Sequence, residues 1–149
     1  KFSKNNPSFK LDPVELDLRP AIIEEAIEWA NLRMGQGPVL IYASAASNEV
    51  KSIQEKIGSE KAGPLIENAM GSIAKALVDS GVRRLVVAGG ETAGAVVGAL
   101  GISSLQIGEQ IDPGVPGTIT VEDPKIALAL KSGNFGEVDF FQKALDTMP

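Results

Sequence analysis

The chain has 149 residues, of which 44% are hydrophobic, 22% charged and 5% aromatic. That length holds one domain with a substantial core, and the balance is that of a folded protein rather than a disordered one. A net charge of −5 argues against a general nucleic-acid surface, and the absence of Cys and His removes disulfides, thiol nucleophiles, Cys/His zinc sites and histidine bases, which leaves acid–base chemistry to Asp, Glu, Lys or Tyr42.

Residues 1–7 read as a connecting segment, and the chain is expected to be a fragment of something longer. Ser8 to Leu11 reads as a short strand, with Asp12-Pro13 as a turn. Pro20 is placed to open a helix with Ile22, Ile23, Ala26, Ile27, Ala30 and Met34 on one face and Glu24, Glu25 and Glu28 on the other. Gly35 and Gly37-Pro38 stop it. Val39 to Tyr42 reads as a buried strand, and Ser47 or Asn48 can cap a helix from Glu49 to Ile57. The clearest helix is opened by Pro64 and followed by Gly81, with Ile66, Ala69, Met70, Ile73 and Leu77 as its apolar stripe.

Leu85 to Ala88 is apolar throughout, the pattern of a central parallel strand buried on both faces. A helix is expected from about Thr92 to Leu100, then short strands near Leu105 to Ile107 and Thr118 to Val121. Between these lies the Pro- and Gly-rich turn or loop Asp112-Pro113-Gly114-Val115-Pro116-Gly117. Ile126 to Leu130 reads as the last strand, and a helix from about Val138 to Leu145 offers Phe140, Phe141, Ala144 and Leu145 to the core. Strands alternating with helices, followed by closely spaced strands, predict an α/β three-layer αβα domain. Its sheet is expected to be mostly parallel, with an antiparallel section near the C-terminus. No apolar run spans a bilayer and no signal peptide is evident, so a cytoplasmic location with no membrane partner is expected.

Two glycine loops follow apolar strands. In the first, Leu85 to Ala88 leads into Gly89-Gly90-Glu91-Thr92-Ala93-Gly94; in the second, Ile126 to Leu130 leads into Lys131-Ser132-Gly133-Asn134-Phe135-Gly136. A strand that empties into glycines and a helix lets the backbone approach an anion, and the helix N-terminus supplies unpaired N–H groups and partial positive charge. Asn and Gly accept left-handed backbone, so the second loop can gather its N–H groups into an anion nest, with Lys131 as a point charge. If both strands are parallel, both loops face one crevice, which Ser44-Ala45-Ala46-Ser47 could also line. The plain alternatives are strand-to-helix turns that need glycine, with Gly94 and Gly98 serving helix packing and Glu91 a solvated carboxylate. Neither G-x-x-x-x-G-K-[ST] nor G-x-G-x-x-G is present, so a P-loop or a dinucleotide dehydrogenase is disfavoured.

The strings LVVAGGETAGAVVGALGI, IDPGVPGTI and LALKSGNFG, together with VLIYASAASNEV, give the chain over nearly its whole length a resemblance to a known domain. The chain is similar to the C-terminal nucleotide-binding domain of the four-carbon acid sugar kinases, which act on 3-oxo-tetronate, threonate or erythronate. The resemblance implies ATP with Mg²⁺ as cofactors and phosphoryl transfer to a tetronate-type sugar acid. It implies that Gly89, Gly90, Glu91, Thr92, Ala93 and Gly94 lie along the nucleotide. Lys131, Ser132, Gly133, Asn134 and Gly136 would approach from the other side, and Gly114, Val115 and Pro116 would border the adenine. Gly117 stands where members carry an aromatic residue, and a serine-containing loop that members have early in this domain has no counterpart here. An N-terminal substrate domain of the same protein is the implied partner and would carry the sugar acid. The general base is not assigned, no residue is assigned to a metal, and the fragment alone is expected to be inactive. A homodimer remains open, as do two other functions: a non-catalytic anion- or nucleotide-binding domain, and a nicotinamide-cofactor domain.

Overall fold

The computed structural model describes residues 2–44, 47–133 and 135–149. Ala45, Ala46 and Asn134 lie outside the described residues, as do the side chains of the expected helix caps Ser47 and Asn48. Strands form two sheets. β1 (Ser8–Lys10) and β2 (Leu40–Tyr42) pair in parallel, with Ser8 opposite Leu40. β3 (Arg84–Ala88), β4 (Leu105–Asp112), β5 (Val115–Thr120) and β6 (Ala127–Lys131) form the other sheet in the order β3-β6-β5-β4. β3 and β6 are parallel, whereas β5 runs antiparallel to both β6 and β4. The expected α/β architecture is present, with its antiparallel section in the C-terminal half.

Helices cover both faces. They are α1 (Phe2–Asn5), α2 (Pro13–Leu18), α3 (Ile22–Asn31), α4 (Ser47–Ile57), α5 (Ser59–Asp79), α6 (Gly90–Ala99) and α7 (Phe140–Thr147). Alternation along the strands decides which helix each residue meets. Leu85, Val87, Leu128 and Leu130 pack with α5 and α6, while Val86, Ala127 and Ala129 pack with Phe140 and Ala144 of α7. α1 is on the α7 side, where the Phe2 and Phe141 rings meet edge-on with centroids 5.5 Å apart. α5 spans both sheets. Its Ala69, Ile73 and Leu77 join the cluster with Leu11, Ala26 and Ala30, and its Ala74 and Val78 join the clusters over β3 and β6. Each large aliphatic side chain buried this way contributes about 1.5–3 kcal/mol of transfer free energy.

Several boundaries differ from the sequence-based expectation, each for a local reason. Asp12-Pro13 is not a turn but the start of α2: the Asp12 carboxylate accepts from the Val14 N–H at 2.8 Å, and Pro13 takes the first helical position. Pro20 instead lies in the turn before α3, which begins at Ile22. Pro64 lies inside α5, five residues after its start, because Gly58 at φ 88° separates α4 from α5. The Pro–Gly segment is a two-residue turn. Gly114 at φ 79° follows Pro113 as the third residue of a type II turn, and β4 and β5 run right up to it. Among the described strands β3 lies on the edge of its sheet rather than at its centre, and the deeply buried strand is its neighbour β6.

Candidate functional site

The first loop begins where β3 ends. Gly89, at φ 111°, takes the cap position of α6, so the helix starts two residues before Thr92, which is inside its first turn. The Gly89 carbonyl accepts from the Ala93 N–H at 2.8 Å, which leaves the N–H groups of Gly90, Glu91 and Thr92 as the orphan donors of the helix start. They carry the positive end of the helix dipole.

The second loop begins where β6 ends, directly beside the first. Ala88 is paired with Lys131 in the parallel ladder, and the Gly89 N–H donates to the Lys131 carbonyl at 2.8 Å. A Cβ built on Gly90 would be 3.4 Å from the Ser132 hydroxyl oxygen, so the loops touch at these two residues. The Lys131 ammonium donates to the Gly133 carbonyl at 2.9 Å and lies over its own loop. Gly133 at φ 53° and Gly136 at φ 84° are in the left-handed region, as expected, and Asn134 between them is outside the described residues. At Gly136 the backbone presses on the core: a Cβ would come within 2.9 Å of the Phe140 ring.

The remaining site candidates divide. Gly114 reaches the second loop, since a Cβ there would meet the Phe135 ring at 3.2 Å. Val115 does not present its side chain to the loops; it is 2% exposed and packs in the cluster with Phe140. Pro116 is half-buried in β5 opposite Gln110. Gly94 and Gly98 are exposed on α6, and a Cβ on either would meet nothing within 4 Å, so packing among the described residues does not explain them. Close packing of α6 instead uses Gly71 of α5, where a Cβ would meet the Ala95 carbonyl and the Ala99 methyl at 3.1 Å.

An ion pair between a buried carboxylate and a half-exposed lysine, which the sequence did not reveal, holds the second loop in place. Asp112, at the end of β4, is 3% exposed; its Oδ1 lies 2.6 Å from the Lys143 ammonium and its Oδ2 accepts from the Glu137 N–H at 2.9 Å. The Lys143 hydrogen bond, followed by the Glu137 N–H, holds the Asp112 carboxyl below its ordinary range against the opposing effect of burial. The same bond raises the Lys143 ammonium. Strand end, loop end and α7 are thereby tied together, through residues 25 and 31 positions apart in sequence from Asp112. No local pattern announces such a contact.

Two concavities flank the loops. A small one of about 350 Å³ includes Lys131, Gly136, Glu137 and Phe141, and a long groove of about 1210 Å³ includes Ser44, Ala88 and Thr92. Among the described residues no group of three or more Asp, Glu, His or Cys is placed to hold a metal ion, and no helix is long and apolar enough to cross a membrane. The donors at the loop pair, which are helix N–H groups, a hydroxyl and an ammonium, fit an anion of the phosphate type.

Residues 1–141 match the family model described as a nucleotide-binding C-terminal domain. The chain belongs to this family. It is 57% identical over 139 residues to a 3-oxo-tetronate kinase of Pseudomonas fluorescens, covering 93% of this chain and 32% of that protein. It is 53% identical over 139 residues to a 3-oxo-tetronate kinase of Burkholderia multivorans, with the same two coverages. Among solved structures, a Haemophilus influenzae protein superposes with a TM-score of 0.92 at 37% identity, over 98% of this chain and 35% of its own. The chain therefore spans about a third of the length of the curated relatives it matches.

Proposed function

We propose that this domain binds the ATP of a kinase that transfers the γ-phosphoryl group to a four-carbon sugar acid of the tetronate type. The observation that carries the reading is the meeting of the two loops, with Gly90 against Ser132 and the Gly89 N–H on the Lys131 carbonyl. A phosphate chain laid across that junction meets the orphan N–H groups of Gly90, Glu91 and Thr92, the Ser132 hydroxyl and the Lys131 ammonium. The open face of α6 at Gly94 leaves room alongside it, and Gly114 borders the second loop from the hairpin. Phosphoryl transfer asks mainly for positioning and for neutralisation of charge, which this set of donors supplies. A divalent cation, Mg²⁺, would arrive on the phosphates, neutralise charge between them and find Glu91 as the nearest site carboxylate in sequence.

The sugar acid and the base that takes its proton belong, in this reading, to an N-terminal domain of the whole protein, which acts in the cytoplasm. The kinase names of the relatives at 57% and 53% identity support the reaction class. Isothermal titration of the full-length protein with Mg-ATP tests the site. Gly90→Val, which places methyl groups against Ser132, is expected to weaken binding at least ~10-fold, equal to about 1.4 kcal/mol. Unchanged affinity would remove the loop pair as the nucleotide site. A phosphotransfer panel of tetronates then tests the acceptor, and absence of turnover on every member would favour a non-catalytic nucleotide-binding role.

A further inference from the structure

The long groove lies between β2 and β3, the facing edges of the two sheets. α5 roofs it and reaches both sides: Met70 packs on the cluster over β2 and also on the cluster over β3. A helix is about 10 Å across, roughly two strand spacings, so one helix that touches both edges leaves room for a single strand between them. Phe141 and Leu145 of α7 line the groove from the opposite side of the sheets.

Both edges carry hydrogen-bonding groups directed into the groove. The Leu40 N–H donates to Pro7 and the Tyr42 carbonyl accepts from Leu11, so these residues face β1, and Ile41 between them directs its N–H and carbonyl into the groove. The Arg83 carbonyl and Gly89 N–H bond to β6, so Arg84, Val86 and Ala88 face the groove. β3 has the apolar composition of a central strand but lies at an edge among the described strands. An exposed apolar edge of this kind is a template for strand addition.

We propose that the groove seats a further β-strand, supplied by the same polypeptide upstream of Phe2, which pairs with β2 and β3 and joins the two sheets into one. The handedness of crossovers identifies the source. The β1-to-β2 connection passes over the α5 side, where α3 packs against α5. A right-handed connection moving the opposite way, from the groove back to β1, must therefore pass over the α7 side. α1, which leads into β1, lies there, with Phe2 against Phe141 and lining the groove. α1 is thus the end of that return connection. Running parallel to β3, the strand ends at the Ala88 and Thr92 end of the groove and delivers its following loop beside the first glycine loop. This inference does not depend on the identity of the ligand there.

Hydrogen exchange of the full-length protein tests it, with amides already bonded to β6, such as Leu85 and Val87, as internal references. The amides of Ile41, Val86 and Ala88 are expected to exchange at least ~100-fold more slowly than open-edge amides, independently of protein concentration. Exchange at open-edge rates would show an unfilled groove, and protection that grows with concentration would show a second copy in it; either result overturns the proposal. A photocrosslinking p-benzoylphenylalanine in place of the exposed, groove-lining Gln142 gives an independent readout. Intramolecular adducts upstream of Phe2 support the strand, whereas adducts only within residues 2–149 or to another copy overturn it.

Discussion

Lys143 reaches back 31 residues to place its ammonium 2.6 Å from the buried carboxylate of Asp112. The carboxylate also takes the Glu137 N–H, so the last residues of the second glycine loop are anchored to the hairpin and to α7 at once.

Asp112→Asn should lower the melting temperature by about 5 °C at neutral pH. The folded carboxyl sits below its ordinary value of 3.8, so its contribution is present above that pH and is lost as pH falls through the lower folded value. The folded ammonium sits above its ordinary 10.5, so its contribution is present below that pH and is lost as pH rises through the higher folded value. The gap between wild type and variant should therefore stay level from about pH 5 to 10 and close beyond both limits. Glu122, held low mainly by the Ser103 hydroxyl, adds to the acid limb of both proteins and cancels in the difference.

Lys131→Met in the full-length protein should weaken Mg-ATP binding ~10-fold and flatten its dependence on salt, because a point charge on phosphate is lost. Titration at two ionic strengths checks both parts. An unchanged salt dependence would leave Lys131 as a loop brace, bonded to Gly133 and nothing more.

Gly136→Ala should destabilise the domain by about 1–3 kcal/mol. The backbone is left-handed at φ 84°, and the new methyl would lie 2.9 Å from the Phe140 ring, which is itself fully buried. The denaturation midpoint should fall with an unchanged slope.

Gly71→Val acts at a distance. Its side chain would press on the Ala95 carbonyl and the Ala99 methyl, which lie 3.1 Å from the Cβ position, and push α6 off α5. A stability loss of about 1–3 kcal/mol should be accompanied by weaker nucleotide binding, because the start of α6 carries the orphan N–H groups. Denaturation and titration of the same variant measure the two effects.

The local parts of this fold were legible in the sequence. The apolar stripe of α5, the two strand-to-glycine transitions and the left-handed positions Gly133 and Gly136 follow from spacing and glycine placement. Proline positions misled, because a proline permits a helix start without requiring one: Pro13 begins α2, Pro20 precedes α3 and Pro64 lies within α5. The adjacency of the loops was legible only on the condition that β3 and β6 are parallel neighbours, and Ala88 opposite Lys131 meets that condition. The Asp112–Lys143 pair was not legible, since a lone Asp and a lone Lys carry no mark of their partner. The edge position of β3 departs from its composition, and that conflict between local pattern and topology is itself informative.

α5 places Ile73 and Leu77 over the first sheet, Ala74 against β3 and Val78 against β6. Neither sheet can melt while the other keeps its roof. Heating the 149 residues should give one calorimetric transition, with agreement between the van't Hoff and calorimetric enthalpies, even though among the described residues no strand ladder crosses from one sheet to the other.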